Sequence, residues 1–251
     1  MPSTVETVHD AVDEPARARS RTVYSANRTL RAPELALPEA LIPDTRLKMD
    51  GLAFLSMLPA DTFPVAFLDP QYRGILEKLA YGNEGRNRGR RRSALAQMSV
   101  ATIMQFLHGI DRTLIPSGHL FLWVDKFHLC EGVRPWLKGT DLAIVDLVTW
   151  DKGTFGMGYR TRRRAEYCLV LQKKPRKAKG VWKVHTITDV VTEKVSQREH
   201  PHAKPVNLQG QLLAAVSNEG DCVIDPAAGS FSVLQAAQNH GRMFLGCDLN
   251  G

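Results

Sequence analysis

DCVIDPAAGSFSVLQAAQNHGRMFLGCDLNG, residues 221–251, is the stretch that decides the fold. CVID (222–225) is a short apolar run ending at Asp225, with Pro226 behind it. Ala227-Ala228-Gly229-Ser230 follows, then SFSVLQAAQNH (230–240), closed by Gly241, then MFLGCDL (243–249) with Asp248 near its end. Strand, small-residue loop, helix and strand, in that order, form the layout of a nucleoside-binding βαβ unit. Small residues let a ligand approach the backbone, and the helix N-terminus offers N–H groups. An acid at the end of the next strand can take both ribose hydroxyls. The loop is not G-x-G-x-x-G, and no Lys follows it to grip phosphates, so an unphosphorylated nucleoside fits better than a dinucleotide. The plainer alternative is a tight strand-to-helix turn with a chance acid beyond it.

Upstream the same alternation continues. TRLKMD (45–50) reads as a short strand, LAFLSML (52–58) as a short helix and VAFL (65–68) as a buried strand. MSVATIMQFLHGIDRTLI (98–115) has helical spacing, ended by Pro116 and Gly118, and HLFLWVD (119–125) is a second buried strand. FHLCEGVRPWL (127–137) reads as helix, LAIVDLVTW (142–150) and AEYCLVLQ (165–172) as strands, VWKVHTIT (181–188) as a possible strand, and PVNLQGQLLAAVS (205–217) as helix. Strands alternating with helices predict an α/β domain with a mostly parallel twisted sheet. Residues 1–40 lack a sustained period and read as a flexible arm. The remainder, 41–251, reads as a single domain.

The chain of 251 residues is 43% hydrophobic and 24% charged, which suits a globular protein and no membrane span. The N-terminus lacks an apolar signal core, so a cytoplasmic protein is expected. Cys130, Cys168, Cys222 and Cys247 form no C-x-x-C pair and read as reduced thiols. His200 and His202 have no acidic or thiol partner at metal spacing, so no metal is expected. The net charge is +7, but segments 82–97 and 160–183 together carry +13, leaving the rest at −6. Concentrated positive charge reads as a footprint for phosphates, against the alternative of two solvated loops.

One more strand end stands out. VAFL runs into Asp69-Pro70-Gln71-Tyr72, which by itself is an ordinary turn sequence. In open α/β sheets, however, ligands bind just beyond the carboxyl ends of strands.

Together, Asp69-Pro70-Gln71-Tyr72 and Asp225-Pro226-Ala227-Ala228-Gly229-Ser230-Phe231 resemble two motifs of the DNA amino-methyltransferases. These are the catalytic (D/N/S)-P-P-(Y/F/W) and the cofactor loop D-P-F-A-G-S-G. The catalytic motif precedes the cofactor loop, as in the permuted β class. Four further stretches are similar to elements of that class: KMDGLAFLSMLP (48–59), LIPSGHLFLWVD (114–125), GYRTRRRAEYCLVLQK (158–173) and HPHAKP (200–205).

The resemblance implies a Rossmann-like methyltransferase fold with helices on both faces of the sheet. It also implies methyl transfer from S-adenosylmethionine to the N6 amine of a flipped adenine in double-stranded DNA, in a bacterial or phage restriction-modification setting. It puts catalysis on Asp69, Pro70, Gln71 and Tyr72, and cofactor contacts on Asp50, Lys204, Asp225, Pro226, Ala227, Ala228, Gly229, Ser230, Phe231 and Asp248. DNA contacts are expected from Arg86, Arg88, Arg90, Arg91, Arg92, Arg162, Arg163 and Lys177. It divides the domain into a catalytic half (45–172, with the basic loop 82–97), a short target-recognition segment (173–200) and a cofactor half (201–251). So short a recognition segment suggests a homodimer.

Gln71 and Phe231 depart from the family pattern, and Phe231 puts a ring where the backbone would approach the methionine part of the cofactor. Two alternatives stay open: a cytosine-N4 enzyme, and a non-catalytic DNA-binding protein on a degenerate methyltransferase fold. No Pro-Cys pair exists, which argues against cytosine C5 methylation through a cysteine.

Overall fold

The computed structural model describes residues 30–70, 98–156, 160–195 and 203–251. Its eight strands are β1 (Leu47–Lys48), β2 (Phe63–Leu68), β3 (Leu114–Val124), β4 (Leu142–Asp151), β5 (Ala165–Lys173), β6 (Val190–Thr192), β7 (Cys222–Asp225) and β8 (Met243–Asp248). They form one sheet in the order β1-β8-β7-β2-β3-β5-β4-β6. β5 is antiparallel to both its neighbours, and the other described pairings are parallel.

The helices are α1 (Gly51–Met57), α2 (Val100–Thr113), α3 (Lys126–Glu131), α4 (Val206–Val216) and α5 (Ser232–Asn239). α2 shows why its sequence folds as it does. Ser99 caps it, its hydroxyl accepting from Thr102 N at 3.1 Å, and Ile103, Phe106, Leu107 and Ile110 recur at helical spacing on the buried side. Strand side chains alternate between faces. Ala66 and Leu68 of β2 therefore join one core with α1 and α2, while Val65 and Phe67 join another with α4 and α5. Helices thus cover both faces.

Three elements differ from the sequence expectation. The helix expected to run to residue 115 stops at Thr113, and β3 starts at once with Leu114. Pro116 and Gly118 lie inside that strand. A register shift opposite Phe63–Val65 absorbs them, with Ser117 at φ 67°. The helix expected over 127–137 is broken by Gly132, at φ 89°, into α3 and a short 3₁₀ turn at Arg134–Leu137. VWKVHTIT is not a strand. Lys183 N donates to Ala215 O at the end of α4 (2.8 Å), and the edge strand forms later, at Val190–Thr192.

His119 sits in the core at 3% exposure, close to Phe121 and Trp182, and its Nδ1 has no hydrogen-bond partner. Burial lowers its pKa to about 4 from 6.5. The unfolded chain therefore binds a proton between those values that the folded chain refuses. The stability that depends on neutral His119 is complete above pH 6.5 and is lost as pH falls toward 4, on the order of 3 kcal/mol. Urea unfolding at pH 7 and pH 4.5 is expected to show this loss, and His119→Leu is expected to flatten it. Equal pH slopes for the two proteins would refute the assignment.

Candidate functional site

β2 and β7 are neighbours in the centre of the sheet, paired through Val65 with Val223 and Ala66 with Ile224. Their carboxyl ends bring Asp69 and Asp225 to one edge. β8 pairs with β7 and adds Asp248, and β1 pairs with β8 and leads into Asp50. Residues from opposite ends of the chain thus meet at one crevice, where open α/β sheets bind ligands.

On the β7 side, the loop is tied down by its backbone. Ala228 N donates to Cys247 O at 2.9 Å, Phe231 N donates to Ala228 O at 2.8 Å, and Ala227 N donates to Asp225 Oδ1 at 3.2 Å. Gly229 lies at φ 50°, and a Cβ added there would meet nothing within 4 Å, so this part of the loop is open. Phe231 is also left-handed, at φ 57°, a region where an ordinary residue costs roughly 1–2 kcal/mol. This accounts for glycine in the family pattern. The Phe231 ring turns into the core, 3% exposed and edge-on to Phe244 with centroids 6.1 Å apart, beneath the Arg46 guanidinium at 5.3 Å. The ring expected beside the methionine part of the cofactor is therefore packed in the core instead, and its burial offsets the backbone strain.

The carboxylates here crowd one another. Burial pushes Asp225 up to about 8, helped by the negative charges of Asp69 and Asp248, while the Ala227 N–H acts the other way. Burial and the charges of Asp225, Asp50 and Asp248 together push the Cys247 thiol up to about 12. A nucleoside that carries a cationic group such as a sulfonium would meet the negative charges of Asp69 and Asp248 beside an open small-residue loop. Asp50 Oδ1 caps α1, accepting from Leu52 N (3.0 Å) and Ala53 N (2.9 Å). Asp248 Oδ1 accepts from Asn250 N at 2.8 Å.

On the β2 side, Pro70 is buried and Asp69 is half-buried. Lys204 Nζ lies 2.8 Å from Asp69 Oδ2 and 2.9 Å from Glu166 Oε2, and it stands over the Trp123 ring at 5.3 Å. Lys152 Nζ is 2.5 Å from Glu166 Oε1. Burial opposes the Lys204 charge, but Asp69 and Glu166 more than offset it, so its pKa is raised. Burial likewise opposes the Glu166 charge, yet Lys204 and Lys152 hold that carboxyl at about 2. Lys204, expected from the sequence as a cofactor contact, is paired here with the Asp69 and Glu166 carboxylates. Glu166 and Lys152 were not expected as site residues. For Glu166 the signals were its place in the stretch 158–173 that is similar to an element of the class, and a carboxylate heading the apolar run AEYCLVLQ.

The basic window 160–183 is split by β5. Arg162 and Arg163 precede that strand at the crevice end, where the Arg163 guanidinium stands 5.7 Å from the Phe127 ring centroid and exposed Phe155 lies nearby in sequence. Lys177 follows the strand at the opposite end, its N–H donating to Gln172 Oε1 at 2.9 Å. Nine strand residues separate the two ends, about 30 Å at the usual rise. Gln71, Tyr72, Arg86, Arg88, Arg90, Arg91 and Arg92 lie outside the described residues, as do His200 and His202. Among the described residues no helix is long and apolar enough to cross a membrane.

A family model described as DNA methylase matches residues 100–251. The Type II methyltransferase M.HhaII of Haemophilus parahaemolyticus is 52% identical over 203 residues, spanning 80% of this chain and 89% of that protein. DNA adenine methyltransferase YhdJ of Escherichia coli K12 is 45% identical over 51 residues, 20% of this chain and 17% of that protein. The crystal structure of the M1.HpyAVI-SAM complex superposes with a TM-score of 0.59 at 16% identity, covering 81% of this chain and 92% of that one.

Proposed function

We propose that this chain, which belongs to the DNA methylase family of S-adenosylmethionine-dependent methyltransferases, methylates the exocyclic N6 amine of adenine in DNA. The observation that carries this reading is the juxtaposition of Asp69-Pro70 on β2 with the acidic small-residue loop on the neighbouring β7. When bound, S-adenosylmethionine supplies an electrophilic methyl group on a cationic sulfur.

The work left to the chain is to orient a poor nucleophile. The lone pair of an adenine N6 amine is delocalised into the ring. The Asp69 carboxylate and the Pro70 carbonyl would each accept one N–H, favouring a more tetrahedral nitrogen whose lone pair points at the methyl group. Asp225, Asp248 and the loop Pro226–Ser230 would hold the cofactor, with Asp50 at its adenine end. Tyr72 would stack on the base, which must leave the duplex to enter the pocket.

The fold does not choose between adenine and cytosine amines. The reading of adenine rests on Asp at the head of the catalytic motif, since the N4 enzymes more often begin with Ser. Mass spectrometry of DNA treated with the purified protein and cofactor tests it. N6-methyladenine is expected, and N4-methylcytosine alone would overturn the choice of base. No methylated base at all would favour a non-catalytic DNA-binding protein.

The split basic window makes a further expectation. On this reading the crevice end is the one that would face the DNA delivering the flipped base. Replacing Arg162 and Arg163 by Ala should weaken binding and make the slope of log K against log salt shallower by roughly one for each phosphate no longer neutralised. Replacing Lys177 and Lys179 by Ala should leave the slope unchanged. The opposite pattern, read by fluorescence anisotropy across a salt series, would put DNA at the far end of the sheet.

A further inference from the structure

We propose that Lys204 and Glu166 are positioning residues for methyl transfer: Glu166 fixes Lys204, and Lys204 fixes one oxygen of the Asp69 carboxylate. This rests on the reading of Asp69 as the acceptor for the substrate amine.

The four side chains come from separate parts of the chain. Asp69 follows β2, Lys152 follows β4, Glu166 lies on β5, and Lys204 precedes α4. The approach to α4 is itself held. Glu193 accepts from Asn207 N and Leu208 N (3.0 and 2.8 Å), and its carbonyl accepts from Trp150 Nε1 at 2.8 Å. Lys204 is thus delivered to the crevice by a helix start whose own N–H groups are anchored to the β4 edge.

An aspartate carboxylate rotates over a broad range about its last torsion. Aligning an acceptor with a developing transition state requires that rotation to be stopped. Lys204 stops it through Oδ2 at 2.8 Å. A lysine paired with Asp69 alone would also draw that negative charge away from the substrate. Glu166 counters this by taking a second hydrogen bond from the same ammonium, at 2.9 Å. Lys152 in turn balances Glu166, so negative and positive groups alternate from Asp69 to the end of β4. The side chain of Lys204 is 13% exposed, so solvent cannot easily stand in for either carboxylate.

The test is single-turnover transfer of labelled methyl to DNA at saturating cofactor and DNA. It is combined with equilibrium binding of S-adenosylmethionine and thermal melting, for the wild type, Lys204→Met, Lys204→Arg and the isosteric Glu166→Gln. The expected result for Lys204→Met and Glu166→Gln is a transfer rate lowered on the order of 10²-fold, the cost of misplacing a reacting group by about an ångström. Their cofactor affinity should stay near wild type, and Lys204→Arg should recover most of the rate. If Lys204→Met does not fold, Glu166→Gln and Lys152→Met read the same network.

Weakened cofactor binding with an unchanged saturated rate would make Lys204 a cofactor contact and overturn the inference. Lower melting temperatures with unchanged rates would make the network merely structural and overturn it too. Transfer by the wild type with unaffected variants sinks this inference alone, whereas no transfer by the wild type sinks it together with the proposed function.

Discussion

Asp69→Ala is expected to lower the methyl-transfer rate by about 10²–10³-fold, the usual consequence of deleting one preorganised polar group that acts on the reacting centre. The carboxylate sits at the end of β2, beside β7 and the small-residue loop that follows it. Losing it would remove one of the two acceptors that orient the amine, while leaving the cofactor loop intact. Binding of S-adenosylmethionine should therefore change little. The deletion also strips a partner from Lys204, which keeps Glu166 at 2.9 Å.

Asp69→Asn should fall between alanine and wild type. Its amide oxygen can still accept an N–H, but without the negative charge, and its NH₂ group would face the Lys204 ammonium. The measurement is single-turnover transfer with separately determined cofactor affinity. Equal rates for wild type and Asp69→Ala would remove Asp69 from the chemistry. A loss confined to cofactor affinity would move it to the binding pocket.

Gly51→Ala is expected to damage the cofactor side, through shape and not charge. Gly51 opens α1 at a point where a Cβ would run into the carbonyl of Pro226 and come within 2.6 Å of the Phe106 ring. One obstacle is backbone of the cofactor loop and the other is a core aromatic, so neither can step aside as a flexible side chain would. Overpacking of this kind costs about 1–3 kcal/mol. The helix is also fixed from behind. Arg112 donates to Leu58 O at 2.8 Å, and Gly109 of α2 lies so close to Leu55 that a Cβ there would approach its side chain to 2.9 Å. The relief available is to push the Pro226 loop away from β8, so affinity for S-adenosylmethionine should fall along with stability. Urea unfolding and cofactor binding read the two effects. An unchanged protein would mean that α1 is free to shift, contrary to its packing.

Much of this architecture was legible in the sequence, and the reason is local. CVID, the small-residue loop and MFLGCDL announce themselves by short-range patterning, as does VAFL before Asp69-Pro70. Burial on both faces makes central strands continuously apolar, and a turn residue must stop each one. The errors are local as well. Leu114-Ile115 fits a helix by periodicity, and only pairing of β3 with β2 makes it strand. VWKVHTIT has strand-forming residues, but its backbone is taken up by the end of α4.

The sequence by itself determined the α/β class and the two strand ends that carry Asp69 and Asp225, because each is written within a few neighbouring residues. Tertiary structure decided which side chains share a charge. It set Lys204 on Asp69 and Glu166, turned the Phe231 ring inward and sent Lys177 to the far end of the sheet from Arg162. Strand order and strand direction fix those outcomes. β5 crosses the sheet within one contiguous basic segment and so separates its two halves, and its antiparallel direction puts the Arg162 half at the crevice end. Meanwhile Asp69 and Lys204, 135 positions apart in the sequence, meet only when the end of β2 and the start of α4 come together in the folded domain.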